Sequence, residues 1–211
     1  LYGRLDIYAT DDNITAENAI EETNSALVFH INNMLQVEFL YWYRRGVQPI
    51  LNRTKEVRDD ILNIVQENHA EEFVTFKNGY FLTQPCSYVS RRKGVQTKLK
   101  KLNEYLYRSG KLEVDNKVAD WFHRVGKGVA FITPNEDKEA PFKAYALDPR
   151  SAFVVYSLKP GNEPVMGVNF VVADEQALFD VYTRDYVFHL RGTTTGKMMT
   201  TEINHDFIAS A

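Results

Sequence analysis

The residues in this sequence best placed to do chemistry form the run RRKGVQTKLKK, which carries Arg91, Arg92, Lys93, Lys98, Lys100 and Lys101 with no acidic residue among them. A cluster of one sign suits two kinds of contact. One is with nucleic acid phosphates. The other is with an acidic face on a neighbouring subunit, such as one carrying Glu17, Glu21 and Glu22. A third reading is a loop and the solvated face of a helix.

Other candidates fall short of a working constellation. Gly192-Thr193-Thr194-Thr195-Gly196-Lys197-Met198 resembles a phosphate-binding loop, but three residues rather than four separate its glycines. Met198 also stands where a magnesium-binding hydroxyl is required. No helical pattern follows that would aim backbone amides at a phosphate. Gly126-Lys127-Gly128 reads as a helix end carrying a charge. His30, His69, His123, His189 and His205 are scattered without ligand spacing, and the single cysteine, Cys86, reads as a small buried hydrophobe. Asp11-Asp12, Asp59-Asp60, Glu71-Glu72 and Asp174-Glu175 are adjacent acids whose side chains point different ways on a helix or strand, so they read as caps or solvated faces. The aromatic group Phe39, Tyr41, Trp42 and Tyr43 suits a core or a subunit interface better than a stacking platform for single strands. No catalytic, cofactor-binding or metal-binding residue is therefore assigned.

These residues must be held by a chain of 211 residues, enough for one large or two small domains, with 44% hydrophobic residues to supply a core. Twenty-five Lys and Arg stand against 28 Asp and Glu, for a formal net charge of -3. That balance gives no global attraction to polyanions, so any such contact is local. One cysteine excludes an internal disulfide framework and suits a reducing compartment. No run reaches the roughly 18 apolar residues a membrane span needs, and no secretory signal pattern opens the chain. The expected protein is soluble and made inside a cell. A start at Leu1 and an end at HDFIASA in an apolar run suggest a piece of a longer protein.

The expected fold class is α+β, with N-terminal helices at about 14–45, 56–78 and 96–126 followed by an antiparallel β-rich meander at about 128–190. Ile20, Leu27, Ile31 and Leu35 follow helical spacing from a cap region at Thr10 to Asn13, in a long helix with Asn32-Asn33 as the place for a bend. An amphipathic helix ends at Asn78-Gly79, and Pro85 punctuates an extended segment that opens a sheet. Leu99, Leu102 and Leu106, closed by Ser109-Gly110, and Val114, Val118, Trp121 and Val125, closed by Gly126, give a helical pair joined by a tight turn. Beyond residue 128 the pattern becomes short β-branched and aromatic runs at 129–133, 142–147, 152–157, 165–172, 177–183 and 186–190, divided by hairpin-length turn signals. RGTTTGKMMTTEIN reads as an exposed loop or hairpin tip.

The order of features around residues 39–88 resembles the portal proteins of tailed bacteriophages, of the kind found in siphophages of Gram-positive hosts. In that family a YYxGxxPIL-like element precedes an N-x-A helix and a GYxxxxP element. The matching residues are Tyr41, Tyr43, Gly46, Pro49, Ile50 and Leu51, then Asn68, Ala70, Val74, Gly79, Tyr80 and Pro85. Downstream, Gly126-Lys127-Gly128 before Val129, then Leu147-Asp148-Pro149, Val155-Tyr156 and Val181-Tyr182-Thr183 agree in order.

The resemblance implies a structural protein with no enzymatic activity and no cofactor. It implies one subunit of a homo-oligomeric ring, usually of twelve, at one capsid vertex of the virion, through which double-stranded DNA passes in packaging and ejection. Its partners would be the terminase motor, a capsid or scaffolding protein and the head-tail adaptor, with assembly in the host bacterial cytoplasm and no membrane contact. Residues 1–127 would be a helical wing segment and 128–211 a β-rich wing segment of a larger subunit whose stem, clip and crown lie outside this chain. Two rival readings are a nucleic-acid-binding module using the basic 91–101 segment and an α+β enzyme. The first predicts salt-dependent binding and the second a polar pocket with perturbed titratable groups.

Overall fold

In a computed structural model the chain is described over residues 6–54, 63–173, 176–193 and 198–204. The elements are β1 (Ile7–Tyr8), α1 (Ala19–Arg44), a 3-10 turn (Pro49–Asn52), α2 (His69–Phe81), α3 (Gln96–Arg108) and α4 (Lys111–Val125). Seven strands follow: β2 (Val129–Pro134), β3 (Phe142–Leu147), β4 (Ala152–Tyr156), β5 (Pro164–Ala173), β6 (Gln176–Thr183), β7 (Val187–Thr193) and β8 (Met198–Asn204). Helices precede an antiparallel-rich set of strands, so the fold is α+β as expected. The chain packs as two compact units, one of residues 1–37 with 150–211 and the other of residues 38–149. This division by packing differs from the change of pattern at 127/128, because α1 contributes to both units and the β2-β3 hairpin packs with the helices.

The first unit is built on a six-stranded sheet in the order β1-β4-β5-β6-β7-β8. Strand β1 pairs parallel to β4, and every other neighbour is antiparallel. Alternation along β6 sends Ala177, Phe179 and Val181 inward, where they join Phe153, Val155, Met166, Val168, Phe188 and Leu190. Ala19, Ala26 and Leu27 of α1 cover this face, the two alanines adding little bulk at the helix-sheet contact. His30 is buried with them, its ring 4.3 Å from that of Phe153, with Nε2 2.9 Å from the carbonyl oxygen of Arg150. Glu22 is also buried and accepts a 3.0 Å hydrogen bond from the Thr10 amide.

In the second unit α3 and α4 form the expected pair. Gly110 between them and Gly126 after α4 take the left-handed conformation, φ 70° and 79°, which a glycine reaches without a Cβ clash. The β2-β3 hairpin is a separate two-stranded sheet, with Val129 opposite Leu147 and Pro134 opposite Phe142.

Several local expectations change. Helix α1 runs without interruption through Asn32-Asn33, and Ile31 and Leu35 are exposed rather than continuing the core face of Leu27. Helix α2 begins at His69 rather than near 56. Asn68 stands at its N-cap, with Oδ1 accepting from the Glu71 amide, and residues 63–68 are non-helical; residues 55–62 lie outside the described set. Its end comes at Phe81, past Asn78-Gly79, because Gly79 keeps an ordinary backbone and the Asn78 side chain is engaged with α4. The segment after Pro85 opens no sheet; Tyr88 instead exchanges two backbone hydrogen bonds with the Asn103 side chain, at 3.0 and 3.1 Å. Where a loop or hairpin tip was expected near the C-terminal end, β7 reaches Thr193 and β8 pairs with it, while residues 194–197 of that stretch lie outside the described set.

Candidate interaction surface

The basic run sits in the second unit, on the turn before α3 and along its first two turns. Arg91, Arg92, Lys93, Lys98, Lys100 and Lys101 are all exposed. None of the six forms an ion pair with a carboxylate among the described residues. Lys101 instead lies 5.4 Å from the centre of the Tyr105 ring, and a hydrogen bond with Tyr105 raises its pKa. Beside the run is an open groove of about 770 Å³, walled by Tyr88 and Val89 on one side and by Leu99, Lys100 and Tyr107 of α3 on the other. The paired hydrogen bonds between Tyr88 and Asn103 hold its two walls in register.

The candidate acidic face changes composition. Glu17 and Glu21 are exposed, but Glu22 faces inward to the Thr10 amide, so only two of the three are available to a partner. On α1, Val28, Ile31 and Leu35 follow Glu21 along one stripe and are exposed, Leu35 at 74%. A second apolar stripe lies on α2, where Phe73, Phe76 and Tyr80 are exposed at helical spacing. Patches of this kind on a folded chain mark association surfaces. Sequence reasoning missed both as surfaces, because apolar spacing alone does not tell a face that is covered within the chain from one that is not.

The aromatic group at 39–43 divides. Phe39 and Trp42 are exposed, whereas Tyr41 stacks on Trp121 of α4 at 5.7 Å. Around this stack is a charge network that ties the end of α1 to α2 and α4. Arg44 pairs with Glu71 at 2.8 Å and with Asp120 at 3.3 Å, Arg124 pairs with Asp120, and Asn78 Nδ2 donates to Asp120 at 2.8 Å. Asn78 Oδ1 lies 2.7 Å from His123 Nδ1. Burial pulls the Arg124 guanidinium below its usual range, and the neighbouring Asp120 carboxylate opposes that shift. Every charge here is used by another, which suits a structural fastening.

The remaining polar candidates are likewise engaged. Asp12 pairs with Lys159 at 2.6 Å, His189 with Asp180 at 2.6 Å, and His69 with both Glu67 and Glu72 at 3.0 Å. No group of three or more metal-ligating side chains occurs among the described residues. Cys86 is exposed, which overturns its reading as a buried hydrophobe. Gly192 and Met198 pair with each other on adjacent strands rather than standing at a helix N-terminus, and residues 194–197 between them lie outside the described residues. Asp59-Asp60, Asp174-Glu175 and His205 lie outside the described residues.

Among the described residues, exposed apolar stripes beside a site-free polar surface suit a structural subunit that works by assembly. The family model described as phage portal protein, SPP1 Gp6-like, matches residues 27–208, and the chain belongs to that family. Portal proteins are structural components of the virion, not enzymes; they form rings and interact with the capsid and the terminase. A search of curated proteins gives no match. No helix among the described residues is long and apolar enough to cross a membrane.

Proposed function

We propose that this chain is the wing-like part of a portal subunit, one of twelve in a ring at a single capsid vertex, through which double-stranded DNA enters during packaging and leaves during ejection. On this reading residues 1–127 and 128–211 are the helical and β-rich segments of the wing. The stem, clip and crown belong to the rest of the subunit, which also carries the contacts to the motor and the head-tail adaptor. Assembly takes place in the host bacterial cytoplasm. The observation that carries the reading is the family match from residue 27 to 208, which spans both compact units.

The surfaces agree with it in two ways. A closed ring needs heterologous interfaces, in which unlike surfaces of the same chain meet, and the chain exposes unlike surfaces: the apolar stripe of α1 and the groove beside the basic run. A conduit for DNA also works without dense basic lining, since neutralising many phosphates would hold the duplex in place, and the chain has a formal net charge of -3. Negative-stain electron microscopy with mass photometry on the product of the complete gene tests the proposal. Rings with a central channel support it, and a discrete monomer or dimer under folding conditions refutes it.

A further inference from the structure

The outward face of α1 joins two features that the packing of the first unit leaves unused. Val28, Ile31 and Leu35 make an exposed apolar stripe, and Glu21 continues it toward the N-terminus, with exposed Glu17 one turn earlier. Neither glutamate has an ion-pair partner among the described residues. The groove of the second unit has the complementary character: Tyr88, Val89, Leu99 and Tyr107 give it apolar and aromatic surface, the basic Lys100 and Arg108 outnumber the single acid Glu104 in its lining, and exposed Arg91 and Arg92 follow directly on its residue Ser90. An amphipathic helix laid in an apolar groove, with opposite charges at one end, is a common recognition mode.

We propose that the outward face of α1 in one copy docks in the groove between residues 88–90 and α3 of the next copy. Glu17 and Glu21 meet Arg91, Arg92 and Lys100, and Val28, Ile31 and Leu35 cover Val89, Leu99 and Tyr107. The inference rests on the ring reading above and names the two faces of its interface. Each copy presents one face of each kind, as a heterologous ring requires. It also accounts for a basic cluster without ion pairs in a net acidic chain. Both faces are at the surface of their own units, so changing their charges leaves each core intact.

The test is a charge swap in the complete gene product, read as the protein concentration at half assembly by mass photometry. Like charges placed across an interface cost several kcal/mol. The pair Glu17→Lys with Glu21→Lys is therefore expected to raise that concentration at least about tenfold, and so is the pair Arg91→Glu with Lys100→Glu. The four changes combined in one chain are expected to restore assembly, because every interface then carries the opposite pairing. Leu35→Asp is expected to weaken assembly without rescue by the swap. Reversed variants that assemble like the parent overturn the proposal, as does a fourfold variant that fails to recover while its thermal unfolding matches the parent. Rings that still form while the Arg91→Glu, Lys100→Glu variant loses salt-dependent binding to duplex DNA overturn it in favour of a phosphate contact. A parent chain that forms no ring overturns the ring reading together with this one.

Discussion

Gly128 approaches Val118 so closely that a Cβ on the glycine would stand 2.7 Å from the Val118 carbonyl oxygen and 2.8 Å from its Cγ1. This is the point where β2 begins against α4, so the backbones of the hairpin and the helix touch with no side chain between them. Gly128→Ala must push the strand off the helix, and overpacking of this kind costs about 1–3 kcal/mol. Chemical denaturation should register that loss, while alanine at Gly167, where a Cβ would meet nothing within 4 Å, avoids the clash.

Asp120 is the hub of the fastening between α1, α2 and α4, accepting from Arg44, Arg124 and Asn78. Asp120→Ala leaves two largely buried guanidiniums short of a carboxylate. With Asp120 itself partly exposed, the expected loss is about 1–3 kcal/mol, below that of a fully buried pair. Asp120→Asn keeps a hydrogen-bond acceptor and should lose less. Breaking the exposed Glu113-Lys117 pair should leave the unfolding midpoint unchanged within error, which separates the network from ordinary surface pairing.

His69 opens α2 between two carboxylates. Its hydrogen bond to Glu72, then the charges of Glu72 and Glu67, raise its pKa above the ordinary 6.5. A group whose folded pKa is raised adds stability that is fully present below its unfolded pKa and fades as pH rises through the folded one. The contribution of His69 should therefore be complete below about 6.5 and vanish above its folded pKa. NMR titration of the ring should give a midpoint above 6.5 in the parent and a lower one in Glu72→Gln.

The sheet of the first unit depends on its inward side. Phe188 of β7 is 1% exposed, and truncation to alanine removes its contacts with the core, at an expected cost of about 3–5 kcal/mol. Val171→Ala, at an exposed position on β5, should shift the midpoint far less. Equal losses at the two positions would contradict the assigned register.

Much of this architecture is legible in the sequence where the signal is local. Ser109-Gly110 and Gly126 mark helix ends because the left-handed backbone favours glycine, and the turns at Asp148-Pro149 and Arg184-Asp185 divide strands where the hydrophobic alternation resets. The end of α2 is not legible, since Asn78 looks like a cap until Asp120 and His123, far along the chain, take its side chain. Strand β1 is only two residues long and finds its place by pairing with β4 across most of the chain. The basic run is plain in the sequence. The groove beside it is not, because it depends on Tyr88 meeting Asn103. The acidic face was half legible: Glu17 and Glu21 are at the surface, whereas Glu22 is drawn inward by the Thr10 amide.

Assembly is tested most directly by the particle mass and shape of the complete gene product, read by mass photometry with negative-stain imaging. Closed rings of twelve copies around a central channel are expected. A folded monomer or dimer without a channel, across the concentrations and salt conditions in which the protein remains native, would contradict ring assembly.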